Sequence, residues 1–252
     1  MADSSKTYDL IFSIGEACLC SEALRDSHLQ LSSYPMDWLF GSTFKGRCEI
    51  VVNRFAHFMD KEDLEYAYSE RSIKCEAYHN KRTDLTHNHD FFCQIPFDKM
   101  YPLVAEKYAR RITRLLEQLE SAAKILIVYV ESPASGHRVT SDEEIKEGFA
   151  LITNAFGRPG KTMDLIYVAQ TERGASRQQI SEHILKIECD YKDWQSPLDW
   201  SYRMEALREI FSSYSLRGYN WKYRARRKIL KVLISLLPWK VRRVQLRERF
   251  HI

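Results

Sequence analysis

Residues 8–26, YDLIFSIGEACLCSEALRD, decide how the rest of the chain is read. YDLIFSIG is a nearly unbroken apolar run that stops at Gly15, the pattern of a strand buried on both faces. ACLCSEALRD then takes up helical spacing. A buried strand that passes through a glycine turn into a helix is the first unit of an α/β fold. The same alternation returns further along. AKILIVYVES (123–132) is the clearest buried strand, and MDLIYVAQ (163–170) and HILKIECD (183–190) read the same way. Between Lys99 and Ala123, Val104, Tyr108, Ile112, Leu115, Leu116 and Leu119 recur at helical spacing. SDEEIKEGFALITNAFG (141–157) opens with a capping box, Ser141 with Glu144, and closes near Gly157. Ser196-Pro197 starts another helix, with proline in the first helical position.

These signals predict an α/β protein, a three-layer sandwich with a largely parallel central sheet. A turn-rich link, LSSYPMDWLFGS (31–42), a second helix over residues 43–59, and loops with short strands over the polar stretch 60–90 complete the expected order. A single domain is expected over residues 1–217 and a basic amphipathic tail over 218–252.

Composition narrows the class. The 252 residues are 44% hydrophobic and 29% charged, as in a globular protein with a sizeable core. No segment reaches the roughly 20 apolar residues that span a bilayer. The opening MADSSKTYDLIF lacks the basic and apolar blocks of a secretory signal. Six scattered cysteines (18, 20, 48, 75, 93, 189) do not form a disulfide framework, so a cytoplasmic protein with reduced thiols is expected.

Cysteine becomes a useful nucleophile at a helix N-terminus or beside an imidazole. Cys18 lies three residues after Gly15, where the helix begins. Cys20 is about 200° further round a helix and faces nearly the opposite way. The alternative is that both are small packing residues. A base would come from elsewhere, and THNHDFF (86–92) offers His87, His89 and Asp90. In a regular strand His87 and His89 share one face and Asp90 takes the other. A third member would then come from another element, with Asp37, Asp98 and Glu131 as candidates. The rival chemistry is a zinc site from His87, His89, a nearby carboxylate and Cys93, but no second ligand cluster accompanies it. No metal and no cofactor are expected.

Three stretches, SIGEAC (13–18), SYPMDWLF (33–40) and NHDF (88–91), follow one another in the order and spacing of a bacterial family described as papain-like cysteine peptidases. The chain resembles that family best over residues 8 to 135. The resemblance places the nucleophile at Cys18, the base at His89 and the turn carboxylate at Asp37. It implies a cysteine-dependent hydrolase or acyl-transfer enzyme acting on a peptide, amide, ester or glycan-linked substrate. It also implies a papain-like α+β arrangement as the alternative fold, with cysteine on a helix and histidine on a separate sheet. The chain departs from the pattern in having Ala17 before the cysteine and a second thiol at Cys20.

The charge is unevenly placed. Residues 222–249 hold eleven Lys or Arg and one acid, a net of +10 against +4 for the whole chain, which leaves −6 elsewhere. ILKVLISLLPW (229–239) forms an apolar centre between two basic flanks. Basic flanks and end tryptophans suit a segment lying in a membrane interface. Trp221, Arg226, Arg227, Lys228, Leu233, Leu236, Trp239, Lys240, Arg242 and Arg243 are the candidate membrane-binding residues. The predicted partner is an anionic membrane on the inner face of the cell, and the four aliphatic residues from 233 to 237 argue against nucleic acid. An alternative function follows from the tail: a cell-envelope polysaccharide biosynthesis protein, glycosyltransferase-like or accessory, with a structural cysteine. A third is a non-catalytic binding module.

Overall fold

The computed structural model describes residues 6–70, 73–131, 140–171, 175–190, 197–219 and 221–236. In chain order the elements begin with β1 (Lys6–Tyr8), β2 (Leu10–Ser13), α1 (Leu19–Asp26), β3 (Leu39–Gly41) and α2 (Phe44–Val52). Next come β4 (Leu64–Glu70), β5 (Cys75–Asn80), β6 (Leu85–Phe92), α3 (Phe97–Ser121), β7 (Lys124–Val130) and α4 (Asp142–Phe156). The chain continues through β8 (Thr162–Thr171), β9 (Ser176–Ser181), β10 (Ile184–Asp190), α5 (Pro197–Phe211), β11 (Tyr214–Leu216) and α6 (Trp221–Ser235).

The fold is mixed α/β with a largely parallel main sheet. Its five strands run in the order β2-β7-β8-β10-β9, parallel except for the β9–β10 hairpin at one edge. Successive residues of each strand point to opposite faces, and both faces are covered. Phe12, Ile127, Tyr129 and Tyr167 belong to a core shared with α2, α3 and α4. Ile11, Val128, Val130 and Ile166 belong to a second core with α1 and α5. Double coverage is why these strands read as unbroken apolar runs. The expected capping box holds: the Ser141 hydroxyl accepts from the Glu144 N–H, and the Glu144 side chain accepts from the Ser141 N–H. Pro197 stands first in its helix, as predicted.

Two readings are corrected. Residues 60–90 are not mainly loop: β4, β5 and β6 join β3 in a four-stranded antiparallel sheet of order β3-β6-β5-β4. Register shifts at Tyr66/Tyr68 and Glu76/Tyr78 break the two-residue alternation that would have revealed the strands. The helix expected over 43–59 stops at Val52, because Arg54, Phe55 and His57 adopt left-handed backbone conformations that end it. A parallel β1–β11 pair was not anticipated; three-residue strands carry too little pattern to read.

Candidate functional site

The site is assembled from two turns and one bulge. Gly15 lets the chain leave β2, since a Cβ there would lie 2.8 Å from the Val130 nitrogen and 2.9 Å from the Cys20 Cβ. Ala17 follows with φ of 57°, a left-handed conformation unfavourable for a residue with a side chain. Cys18 then caps α1, its carbonyl accepting from the Glu22 N–H at 2.9 Å. The N–H groups of Leu19, Cys20 and Ser21 have no carbonyl within the helix to bond, because they belong to its first turn. Cys20 turns into the core, fully buried, with its thiol 3.8 Å from the Val128 carbonyl.

His89 reaches Cys18 from the other sheet. In β6, His87 pairs with Tyr78 but Phe91 pairs with Glu76, so Asn88, His89 and Asp90 stand opposite the single residue Ala77. This bulge overturns the expected alternation. His87 turns inward, where its Nδ1 meets Asp90 Oδ2 at 3.2 Å, while His89 is exposed with its Nε2 3.3 Å from Cys18 Sγ. His87 and His89 therefore cannot offer two ligands to one metal ion. Among the described residues, the three side chains close enough to share an ion lie elsewhere: His57, Asp60 and Asp63. His57 bonds Asp60 at 2.6 Å and Asp63 faces Arg82 at 3.3 Å, so internal ion pairs already occupy this group.

Asp90 is the anchor of the bulge. Its carboxylate accepts from the Tyr108 hydroxyl at 2.6 Å and from the Lys107 ammonium, both on α3. Burial alone would raise the Asp90 pKa, but Lys107 and His87 outweigh it and hold the carboxyl well below its ordinary range.

Asp37 stands one residue before Trp38, whose ring faces His89. Fully buried, Asp37 accepts from Gln30 Nε2 at 2.6 Å, the Tyr34 N–H at 2.9 Å and the Arg25 guanidinium at 3.2 Å. Burial raises its pKa against the pull of Arg25 and the Tyr34 N–H. None of these hydrogen bonds goes to His89. Its influence runs through the next residue: the Trp38 ring stands edge-on to His89 at 6.2 Å, with the Arg25 guanidinium 4.9 Å over its face. Asp98 pairs with Lys61, and Glu131 accepts from Tyr167 at 2.5 Å; neither contact involves His89.

Sequence reasoning missed Arg47, which joins the two halves. This fully buried guanidinium donates to the carbonyls of Ile14 (3.3 Å) and Gly15 (2.8 Å), just before the Cys18 turn. It also donates to Leu39 (2.9 Å) and Gly41 (2.7 Å) on β3, whose Leu39 pairs with His87 of β6. The Ala17 N–H adds a bond to the Leu39 carbonyl at 3.0 Å. An arginine in a helix that also carries Lys45 and Glu49 gives no sign from sequence that four carbonyls wait for it.

Electrostatics favour a protonated thiol. Burial pushes the Cys18 pKa up to about 12, and the Glu22 carboxylate adds to the rise, against a smaller opposing effect from the residue's own backbone. Of the predicted tail residues, Trp221, Arg226, Arg227, Lys228, Leu233 and Leu236 lie on α6 or directly after it, with Lys228, Leu233 and Leu236 exposed. Trp239, Lys240, Arg242 and Arg243 lie outside the described residues.

The molecule thus belongs to the α/β proteins, with a half-buried thiol at a helix start in contact with an imidazole from a second sheet. Residues 9–146 match the family described as "Putative papain-like cysteine peptidase (DUF1796)", and the chain belongs to that family. No curated protein and no solved structure matches it.

Proposed function

We propose that the protein is a cysteine-dependent hydrolase or acyl-transfer enzyme with Cys18 as nucleophile and His89 as base. The 3.3 Å contact between Cys18 Sγ and His89 Nε2, made across 71 residues of sequence, carries this reading. Because burial holds the proton on the thiol at neutral pH, the reaction starts from the thiol rather than from a preformed thiolate. As Sγ attacks a carbonyl carbon, the thiol proton passes to His89 Nε2. The resulting oxyanion is held by backbone N–H groups at the start of α1. Collapse breaks the bond to the leaving group, which takes the proton from His89, and leaves a thioester on Cys18. Water or another acceptor, deprotonated by His89, then releases the acyl group and restores the thiol.

Asp37 acts in this scheme as a positioning residue, fixing the turn that sets Trp38 against His89. We read the architecture as a three-layer sandwich with an added antiparallel sheet. Cysteine on a helix start and histidine on a separate sheet is also the division of labour that a papain-like relationship implies. Residues 1–217 form the catalytic unit in this reading, with the tail outside it.

The test uses p-nitrophenyl acetate as a small acyl donor and mass spectrometry to locate the acetyl group. Cys93, an exposed thiol outside the pair, is the internal reference. Acetylation of Cys18 ahead of Cys93 is expected, absent in Cys18→Ser and slowed about a hundredfold in His89→Ala. A Cys18 that stays unmodified, or reacts equally fast without His89, would overturn the proposal.

A further inference from the structure

The C-terminal helix α6 and the residue that follows it carry an apolar stripe that lies exposed among the described residues. Ile229, Val232, Leu233 and Leu236 are 59%, 54%, 55% and 74% exposed. Their spacing of three, one and three residues puts all four on one face of the helix. Ile234, on a different face, is 4% exposed, so the helix already has an inward side and the stripe is its outward one. Aliphatic side chains this exposed and this contiguous on a helix call for a partner.

Charge selects among the partners. The stripe lies within a segment whose 28 residues, 222–249, carry a net charge of +10, while the rest of the chain carries −6. A second copy would bring the same cationic segment face to face with itself, which repulsion opposes. A nucleic acid would satisfy the cations and leave four aliphatic side chains without an apolar contact. A bilayer with anionic headgroups satisfies both, taking the aliphatic side chains at the acyl boundary and the cations at the phosphates. No helix among the described residues is long and apolar enough to cross a membrane.

We infer that α6 is an interfacial helix that lays Ile229, Val232, Leu233 and Leu236 into the surface of an anionic bilayer. At 1.5 Å per residue its 15 residues would cover about 22 Å of that surface. The helix starts two residues past Tyr219, whose ring stacks on His28 at 4.9 Å, just beyond the C-terminal end of α1. Cys18 caps the opposite end of α1. Membrane attachment thus fixes the domain through the end of α1 remote from the thiol, leaving that thiol free to face a substrate.

The experiment is co-sedimentation of the full chain with phosphatidylcholine vesicles, with and without phosphatidylglycerol. Binding is expected only to the anionic vesicles, weakening as salt is raised. Leu233→Ser with Leu236→Ser is expected to reduce it at least tenfold, with an unchanged thermal melt because both side chains are exposed. Equal binding to the two vesicle types overturns the charge argument, and undiminished binding by the double variant overturns the stripe. A wild type that sediments with neither vesicle overturns the inference as a whole. If it then either forms a dimer that the double variant loses, or is retained on duplex DNA, the occupant is a second copy or a nucleic acid. The acetylation of Cys18 is read separately, so either result stands whatever the other shows.

Discussion

The parallel sheet and the antiparallel sheet hold their halves of the site by different means. Around β2 and β7 the constraint is steric: Gly15 has no room for a Cβ against Val130 and Cys20, so the path into Cys18 is fixed by packing. Around β6 the constraint is polar: the bulge that turns His89 outward is held by Asp90 against His87, Lys107 and Tyr108. Close packing tolerates almost no change in volume, whereas a buried polar network tolerates almost no change in charge. The two halves should therefore fail in different ways, and one residue should fail both together.

That residue is Arg47. Arg47→Ala strands carbonyls on both sides of the junction, each costing about 1–3 kcal/mol if left unpaired, for a loss on the order of 5 kcal/mol. Chemical denaturation should show it; a loss below about 1 kcal/mol would mean that the two sheets are joined by packing alone. Asp90→Asn should come next, at about 3 kcal/mol, because it leaves Lys107 without its buried counter-charge. The sign with pH follows from a folded pKa below the unfolded value. The wild-type contribution is fully present above about pH 4 and is lost as pH falls through the folded pKa. The melting temperature should therefore fall less steeply with acid in the Asp90→Asn variant than in wild type.

Gly15→Ala should cost about 2 kcal/mol through overpacking, with no new dependence on pH. If it acquired the acid sensitivity expected at Asp90, the distinction between steric and polar constraint would fail. The smallest effect is electrostatic. Removing the like charge near the thiol in Glu22→Gln should lower the Cys18 pKa and speed alkylation by iodoacetamide a few-fold at a given pH, with stability unchanged. In the wild type that rate should keep rising with pH up to about 12, where the thiol is held.

The same contrast explains what could be read in the sequence. KILIVYV and DLIYVA are buried on both faces, so their apolar runs announce strands without tertiary information. Cys18 was legible because a glycine, a turn and a helix start leave their mark within a few residues. His89 was legible only through its motif; by regular alternation it would share a face with His87, and the bulge that separates them depends on Lys107 and Tyr108 of α3, more than a dozen residues away. Arg47 left no mark at all, because its partners are main-chain carbonyls and any sequence supplies those.

The parallel β1–β11 pair bears on the order of assembly. Its register joins Lys6 to Tyr214 and Tyr8 to Leu216, so the first strand of the described chain waits for nearly the last before it has a neighbour of its own. At ribosomal rates of about 5–20 residues per second, that wait is roughly 10–40 s. The helix with the aliphatic stripe begins at Trp221, five residues after β11 ends. The strands and helix that carry Cys18 and His89 are therefore all made well before the ribbon can close, and α6 follows directly behind it.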